Sequence, residues 1–317
     1  MIIRTVFDSR AKSLKYKISL QVLAASWHRY LKSVFPLEVV HIGLLPTQLR
    51  GFLDDIGALH MEALPNKNDL ISKTSNTIQG LELNKGKNVL LIDNDTFFAN
   101  SFAKIPIDHN HVGGSIPGGL RVTSDQWDII TGELKSKLLP AQVSPLSESV
   151  KAIITESNPQ VLRHVYVNGG VLFIPGSIGF KTIWENHVAR ISNHFRNHPL
   201  KDNNVYGSNM AGLATAIAEY GKFSWLPIDF NYRPYSFALG LSELEKIKII
   251  HLTNNPAIEY ATSVTAWYQH YWDKFILNRL NSLKTKIGNG EYLKRMEIIS
   301  SAQKKINELV NDFGISL

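Results

Sequence analysis

Residues Asn88 to Asn100 read NVLLIDNDTFFAN. Val89, Leu90, Leu91 and Ile92 form a continuous apolar run, and two aspartates, Asp93 and Asp95, follow at i and i+2. An all-apolar run of this length suits a strand covered on both faces, at the centre of a sheet between helices. Carboxylates at the end of such a strand are costly to bury unless a cation, basic side chains or water answers them. In an open α/β sheet the C-terminal strand ends border the crevice where ligands bind. Residues i and i+2 of a continuing strand share a face, and two carboxylates there can share a hard divalent cation with a diphosphate. D-x-D also occurs in solvated turns, so the spacing alone leaves both readings open.

Outward from this stretch, β-rich runs alternate with helical patterns up to about residue 255, which argues for an α/β layer architecture. The runs MIIRTVF (1–7), LEVVHIG (37–43), VYVNGGVLFIP (165–175), FSWLPI (223–228) and KIKIIHL (246–252) read as further strands. Leu20, Leu23, Trp27, Leu31 and Val34 fall on one face of a 3.6-residue period and predict a helix. NMAGLATAIAEYG predicts another, with Gly221 as its C-cap. The long segment from HNHVGGSIPGG through SPLSESVKAII is rich in Gly, Pro and Ser, and reads as a loop over donor or acceptor. Within it His109 and His111 have no acidic cluster beside them and read as loop residues rather than ligands, while Arg121 and Asp125 either touch substrate or are solvated charges.

After Asn255 the pattern changes. AWYQHYWDKFILNRLNSL, a break at KIGNG and a stripe of Tyr292, Met296, Ile299, Ile306, Leu309 and Phe313 predict a helical pair. It serves for packing, for dimerisation or, with Trp267, Tyr268, Tyr271 and Trp272 as interfacial aromatics, for membrane-surface contact.

The 317 residues carry a formal charge of +7 and no cysteine. That excludes disulfides and thiolate metal sites and fits a reducing compartment. The N-terminal apolar run is too short for a signal peptide, and no run of about 18 apolar residues exists. The expectation is a cytoplasmic protein, at most peripheral to the inner membrane face. The basic balance suits anionic partners, but without a dense Lys/Arg block or a recognition motif no nucleic-acid partner is expected.

Three more features join the aspartates. Asn168-Gly169-Gly170 interrupts a strand, either for close approach of a ligand or as a bulge. His251 follows a buried strand in IIHL and is either a core histidine or a metal ligand that favours Mn²⁺ over Mg²⁺. The polar helix start YGSNMAG precedes LPIDFN.

An apolar strand into D-x-D, then N-x-G-V-L, a helix with a polar start, L-P-x-x-F-N and I-I-H together resemble the GT-A glycosyltransferases. The resemblance points to the retaining group that includes glycogenin and the bacterial lipooligosaccharide galactosyltransferases, and covers residues 1 to about 255. It implies a Rossmann-like GT-A mixed sheet flanked by helices over 1–255, with a C-terminal helical extension over 256–317. It also implies a nucleotide-sugar donor, most naturally a UDP-sugar, bound through Mn²⁺ or Mg²⁺, and a glycan, lipid-linked, peptide or small-molecule acceptor. Carried over, Asp93, Asp95 and His251 ligate the metal, with Asp93 also holding the ribose. Asn94 accompanies them, and Asn168, Gly169 and Gly170 line the donor sugar. Asp8 and Arg10 fall where the base binds, and Lys73 and Asn76 where relatives meet the nucleotide.

The sequence departs from the relatives at the helix start, where Ser208 and Asn209 stand in place of an Asp-Gln pair. Asn209 keeps an amide suited to retention, whereas Asp229 would serve as the base for inversion. After His251 the relatives' diphosphate-clamping glycine and lysine are missing, so Lys222, Arg233 or another basic group takes that role, or none does. The rival readings are a non-catalytic nucleotide-sugar or glycan binder and a D-x-D phosphatase or phosphotransferase. The second lacks its Gly-Thr pair, since Thr96 follows Asp95 directly.

Overall fold

A computed structural model describes residues 1–11, 13–66, 73–81, 86–117, 122, 124–140, 164–176, 179–197, 205–234, 241–252 and 262–316. Its strands are β1 (Ile2–Asp8), β2 (Leu37–Ile42), β3 (Leu59–Ala63), β4 (Val89–Ile92), β5 (Thr96–Phe98), β6 (Val112–Ser115), β7 (Asn168–Ile174), β8 (Phe223–Trp225) and β9 (Ile249–His251). Seven of them make one sheet in the order β3-β2-β1-β4-β7-β6-β8, and β5 pairs with β9 in a separate ribbon. β3, β2, β1 and β4 run parallel, while β7 is antiparallel to both its neighbours, so the sheet is mixed. The helices are α1 (Leu14–Tyr30), α2 (Thr47–Ile56), α3 (Ser124–Gly132), α4 (Phe180–Asn197), α5 (Val205–Tyr220), α6 (Val264–Tyr271) and α7 (Asn278–Asp312).

β4 holds the centre, and its side chains alternate between two cores. Leu90 and Ile92 pack with Leu23, Trp27 and Leu49 from α1 and α2. Val89 and Leu91 pack with Trp184, Val188 and Leu213 from α4 and α5. The unbroken apolar run is thus a strand with a helical layer on each face. Two charges enter this core in register. Arg4 on β1 faces Glu38 on β2, its Nε donates to Glu38 Oε2 at 2.9 Å and its Nη1 to the Gly80 carbonyl at 2.7 Å. A buried guanidinium satisfied in this way is tolerated, whereas an unpaired one would not be.

Two expectations are corrected here. Leu20, Leu23, Trp27 and Leu31 are buried as predicted, but α1 ends at Tyr30 and Val34 is 43% exposed, outside the helical face. The segment read as a loop contains a sheet strand, β6, and a helix, α3. VGGS hides β6 from propensity because glycines weaken a strand on paper. Here they are required by space: a Cβ on Gly113 would lie 2.6 Å from Ile107 Cδ1, and one on Gly114 3.0 Å from Val167. Arg121 lies outside the described residues, and Asp125 is exposed in the first turn of α3.

The C-terminal helices pack back on the α/β body. Trp267, Tyr268, Tyr271 and Trp272 are at most 1% exposed and share a core with Ile18 and Val22 of α1, Phe97 of β5 and Ile250 of β9. Buried aromatics cannot act as interfacial anchors, which corrects the membrane-surface reading of these four residues. Ile299, Ile306 and Leu309 are buried, with Tyr292, Met296 and Phe313 packed against the same core. The expected break in KIGNG falls at Gly288, whose φ of 77° and ψ of 161° interrupt the helical geometry of α7 in a region glycine enters without steric cost. Among the described residues no helix is long and apolar enough to cross a membrane.

Candidate metal centre

β4 ends at Ile92, and the next four residues close a turn. Thr96 N–H and Thr96 Oγ1 both donate to the Asp93 carbonyl, at 3.3 and 2.8 Å. Asp93 and Asp95 are therefore brought together by a β-turn rather than by the shared face of a continuing strand. The turn feeds β5, and β5 pairs antiparallel with β9 so that Thr96 sits opposite His251. The imidazole thus reaches the carboxylates from an adjoining two-stranded ribbon. Further backbone bonds bind the segments: Asp93 N–H to Gly170 O, Leu252 N–H to Asp95 O and His251 N–H to Tyr232 O, each 2.9 Å.

One ligand atom from each of Asp93, Asp95 and His251 lies within 4.8 Å of the other two. His251 is buried and the two carboxylates are half-buried. Burial, and then the Asp95 carboxylate, push the Asp93 carboxyl up to about 7, with His251 partly opposing. Asp95 Oδ1 is buried and has no hydrogen-bond partner among the described residues, although His251 Nε2 lies 3.2 Å away. A buried carboxylate oxygen without a donor is the type of defect a cation repairs. Two carboxylates and an imidazole form a suitable donor set for Mn²⁺ or Mg²⁺, and the nitrogen favours Mn²⁺.

Gly170 explains the glycine pair. A Cβ there would lie 2.1 Å from His251 Cε1 and 2.6 Å from His251 Nδ1, so the imidazole occupies the space a side chain would need. A Cβ on Gly169 would meet nothing within 4 Å. The strand also carries an irregularity, since Gly114 pairs with Leu172 but Ser115 with Asn168. The bulge and the open face at Gly169 coexist.

The other expected residues divide. Asn94 is in the turn itself. Asn168 heads β7 beside the trio, and its Oδ1 accepts from Gly170 N–H at 3.0 Å. Asp8 ends β1, just past Thr5, which pairs with Ile92 at the end of β4. Its carboxylate accepts Arg10 Nε at 2.9 Å and Arg10 Nη2 at 2.8 Å, so the two act as a pair. Lys73 and Asn76 lie in a 3₁₀ stretch, Lys73–Leu81, and Ser208 and Asn209 near the start of α5; the side chains of all four fall outside the described residues. Asp229 is in a short 3₁₀ turn (Ile228–Phe230), and its Oδ1 accepts a hydrogen bond from Ser242. Arg233 is buried and donates through Nη2 to the Ile116 carbonyl, next to the site. Lys222 is displaced: it precedes β8, level with Val112 at the start of β6, on the opposite rim of the sheet. It cannot clamp a diphosphate at Asp93. His109 and His111 are on that far rim as well, with His111 Nδ1 2.8 Å from Ser224 Oγ.

One motif residue to which the sequence assigned no role belongs to the site. Asn231 is fully buried behind His251, with its Oδ1 3.0 Å from His251 Nδ1. Its signal was the terminal Asn of LPIDFN.

No family model matches the sequence, and no curated protein matches it. Solved structures do. The chain is similar to the galactosyltransferase LgtC in complex with donor and acceptor sugar analogs, at 14% identity and TM-score 0.53, over 86% of this chain and 94% of that one. It is similar to the apo form of WbbM, a bifunctional glycosyltransferase, at 13% identity and TM-score 0.50, over 88% of this chain and 51% of that one. The glycosyltransferase GlyE of Streptococcus pneumoniae TIGR4 aligns at 13% identity and TM-score 0.49, over 90% of this chain and 64% of that one. The chain thus spans less than two thirds of WbbM and of GlyE. At such identities the likeness is one of fold, and the fold of this chain is GT-A, that of the glycosyltransferases it resembles.

Proposed function

We propose that this protein is a metal-dependent glycosyltransferase that moves a sugar from a nucleotide-sugar donor, a UDP-sugar, to an acceptor hydroxyl with retention at the anomeric carbon. The observation that carries the reading is the convergence of Asp93, Asp95 and His251 within 4.8 Å at the rim of a GT-A sheet. A divalent ion held there supplies charge neutralisation for the departing diphosphate.

The chain's own groups set the rest. Asn168 uses its Oδ1 internally, which leaves the Nδ2 hydrogens to donate toward a sugar oxygen. Gly169 leaves the face of β7 open for close approach. Asp8 with Arg10 meets the nucleoside in this reading, and Lys73, Asn76, Ser208 and Asn209 are the remaining donor-binding candidates. In the transfer, the bond from the anomeric carbon to the diphosphate breaks. A bond to the acceptor oxygen forms on the same face, and the acceptor's proton passes to the departing diphosphate oxygen. No side-chain base is then required, so Asp229 can keep its bond to Ser242. Residues 1–255 hold the donor site in this scheme, and 256–317 serve as a packing extension.

The test is UDP release from a panel of UDP-sugars with Mn²⁺. Release from one sugar, lost on chelation and reduced more than about 100-fold in Asp95→Ala, is the expected result, since removing a direct ligand should exceed the effect of removing an outer-shell partner. Turnover that survives both chelation and the substitution overturns the metal role. Phosphate release from a phosphomonoester would instead support the phosphotransferase reading, which belongs to a different fold.

A further inference from the structure

The buried polar contacts behind His251 fix the position of a proton. Gly170 N–H can only donate, so the Asn168 side-chain atom 3.0 Å from it is the oxygen, Oδ1. That oxygen lies 3.1 Å from one terminal atom of Asn231, which must therefore be the donor Nδ2; the same atom is 2.6 Å from Ser115 Oγ. The other terminal atom of Asn231 is then its oxygen, and it lies 3.0 Å from His251 Nδ1. An amide oxygen only accepts, so Nδ1 bears the hydrogen. A neutral imidazole has one N–H, and the lone pair is left on Nε2, the nitrogen 3.2 Å from Asp95 Oδ1.

We propose that Asn231 and Asn168 are positioning residues: a relay from the Gly170 backbone through both amides holds His251 as its Nδ1–H tautomer and aims the Nε2 lone pair at the space between it and Asp95. The inference rests on the metal-dependent reading of the site: in that reading Asn231 touches neither metal nor sugar, and Asn168 takes a second role beside its contact with the donor sugar. It also gives the strand irregularity at Asn168 a purpose, because the bulge turns Gly170 N–H back onto its own chain's Asn168. A hydrogen-bond partner on the distal nitrogen of a ligating histidine fixes tautomer and ring orientation, and its loss weakens metal affinity roughly 10–100-fold.

The relay is tested in metal-free protein by ¹⁵N-histidine NMR at alkaline pH, where long-range couplings identify the protonated ring nitrogen. The His251 signals are those lost in His251→Gln. Wild type is expected to show Nδ1–H. Asn231→Leu is expected to lose this preference and to bind Mn²⁺ roughly 10–100-fold more weakly. Nε2–H in wild type overturns the proposal, as does Asn231→Leu with the wild-type tautomer and affinity. The wild-type spectrum decides the tautomer even if Asn231→Leu does not fold. If wild type shows Nδ1–H but binds no Mn²⁺, the metal reading fails while the relay stands.

Discussion

At the scale of single residues, the site depends on what cannot be there as much as on what is. Gly170 leaves room for the His251 ring, and Gly170→Ala would place a methyl 2.1 Å from Cε1. The strand and its apolar neighbours would hold, so the ring must move. The expected result is a folded protein with Mn²⁺ affinity reduced roughly tenfold or more, by the same loss of ring orientation as an outer-shell change, read by titration with circular dichroism as the folding control. Asp93 gives a pH prediction. Its carboxyl is raised from 3.8 to about 7, by burial first and the Asp95 charge second. Between those values the native state keeps a proton that the unfolded chain releases. Stability of the chelated protein therefore falls as pH rises from about 4 to about 7, then levels. Melting curves in chelator should show this slope in wild type and a shallower one in Asp93→Asn; equal slopes in both would locate the effect elsewhere. The carboxylates were legible because an apolar strand ran straight into them. Asn231 was much less so, since a buried amide behind a ligand has no periodicity or charge to betray it.

At the scale of elements, legibility followed burial. β4 announces itself as an apolar run because both its faces are covered, and β1 and β2 read as β-rich runs despite the buried Arg4 and Glu38. β5, with three residues, and β3, with an exposed first residue, give no such signal. β6 is a strand for reasons of close packing at Gly113 and Gly114 that no propensity records. The pairing of β5 with β9 is a long-range fact, so the ribbon that brings His251 to Asp95 could be anticipated only through the resemblance. The Arg4–Glu38 contact across β1 and β2 yields a stability prediction. Glu38→Ala leaves a guanidinium buried with only the Gly80 carbonyl and should destabilise by about 3–5 kcal/mol in urea unfolding. Replacing both partners by methionine should recover most of that loss, because the desolvation penalty goes with the charges.

At the scale of the whole molecule, the C-terminal helices are structural members. Their aromatics close the same core that backs β5 and β9, so the tail supports the ribbon carrying His251. Trp272→Ala should destabilise by about 3–5 kcal/mol in a single cooperative transition, whereas a separate transition for the tail would show that it folds independently. The periodic stripe made the helices legible; their burial was not, because aromatic residues suit a core and an interface equally well. The fold gathers the turn after β4, the head of β7 and the end of β9 around one point, and the account stands on a single divalent ion held there. Equilibrium titration with Mn²⁺, counting bound ions by electron paramagnetic resonance, tests this most directly. One ion per chain in wild type and none at the same concentrations in Asp95→Ala is the predicted result; an unchanged stoichiometry in Asp95→Ala, or no bound ion in wild type, would contradict it.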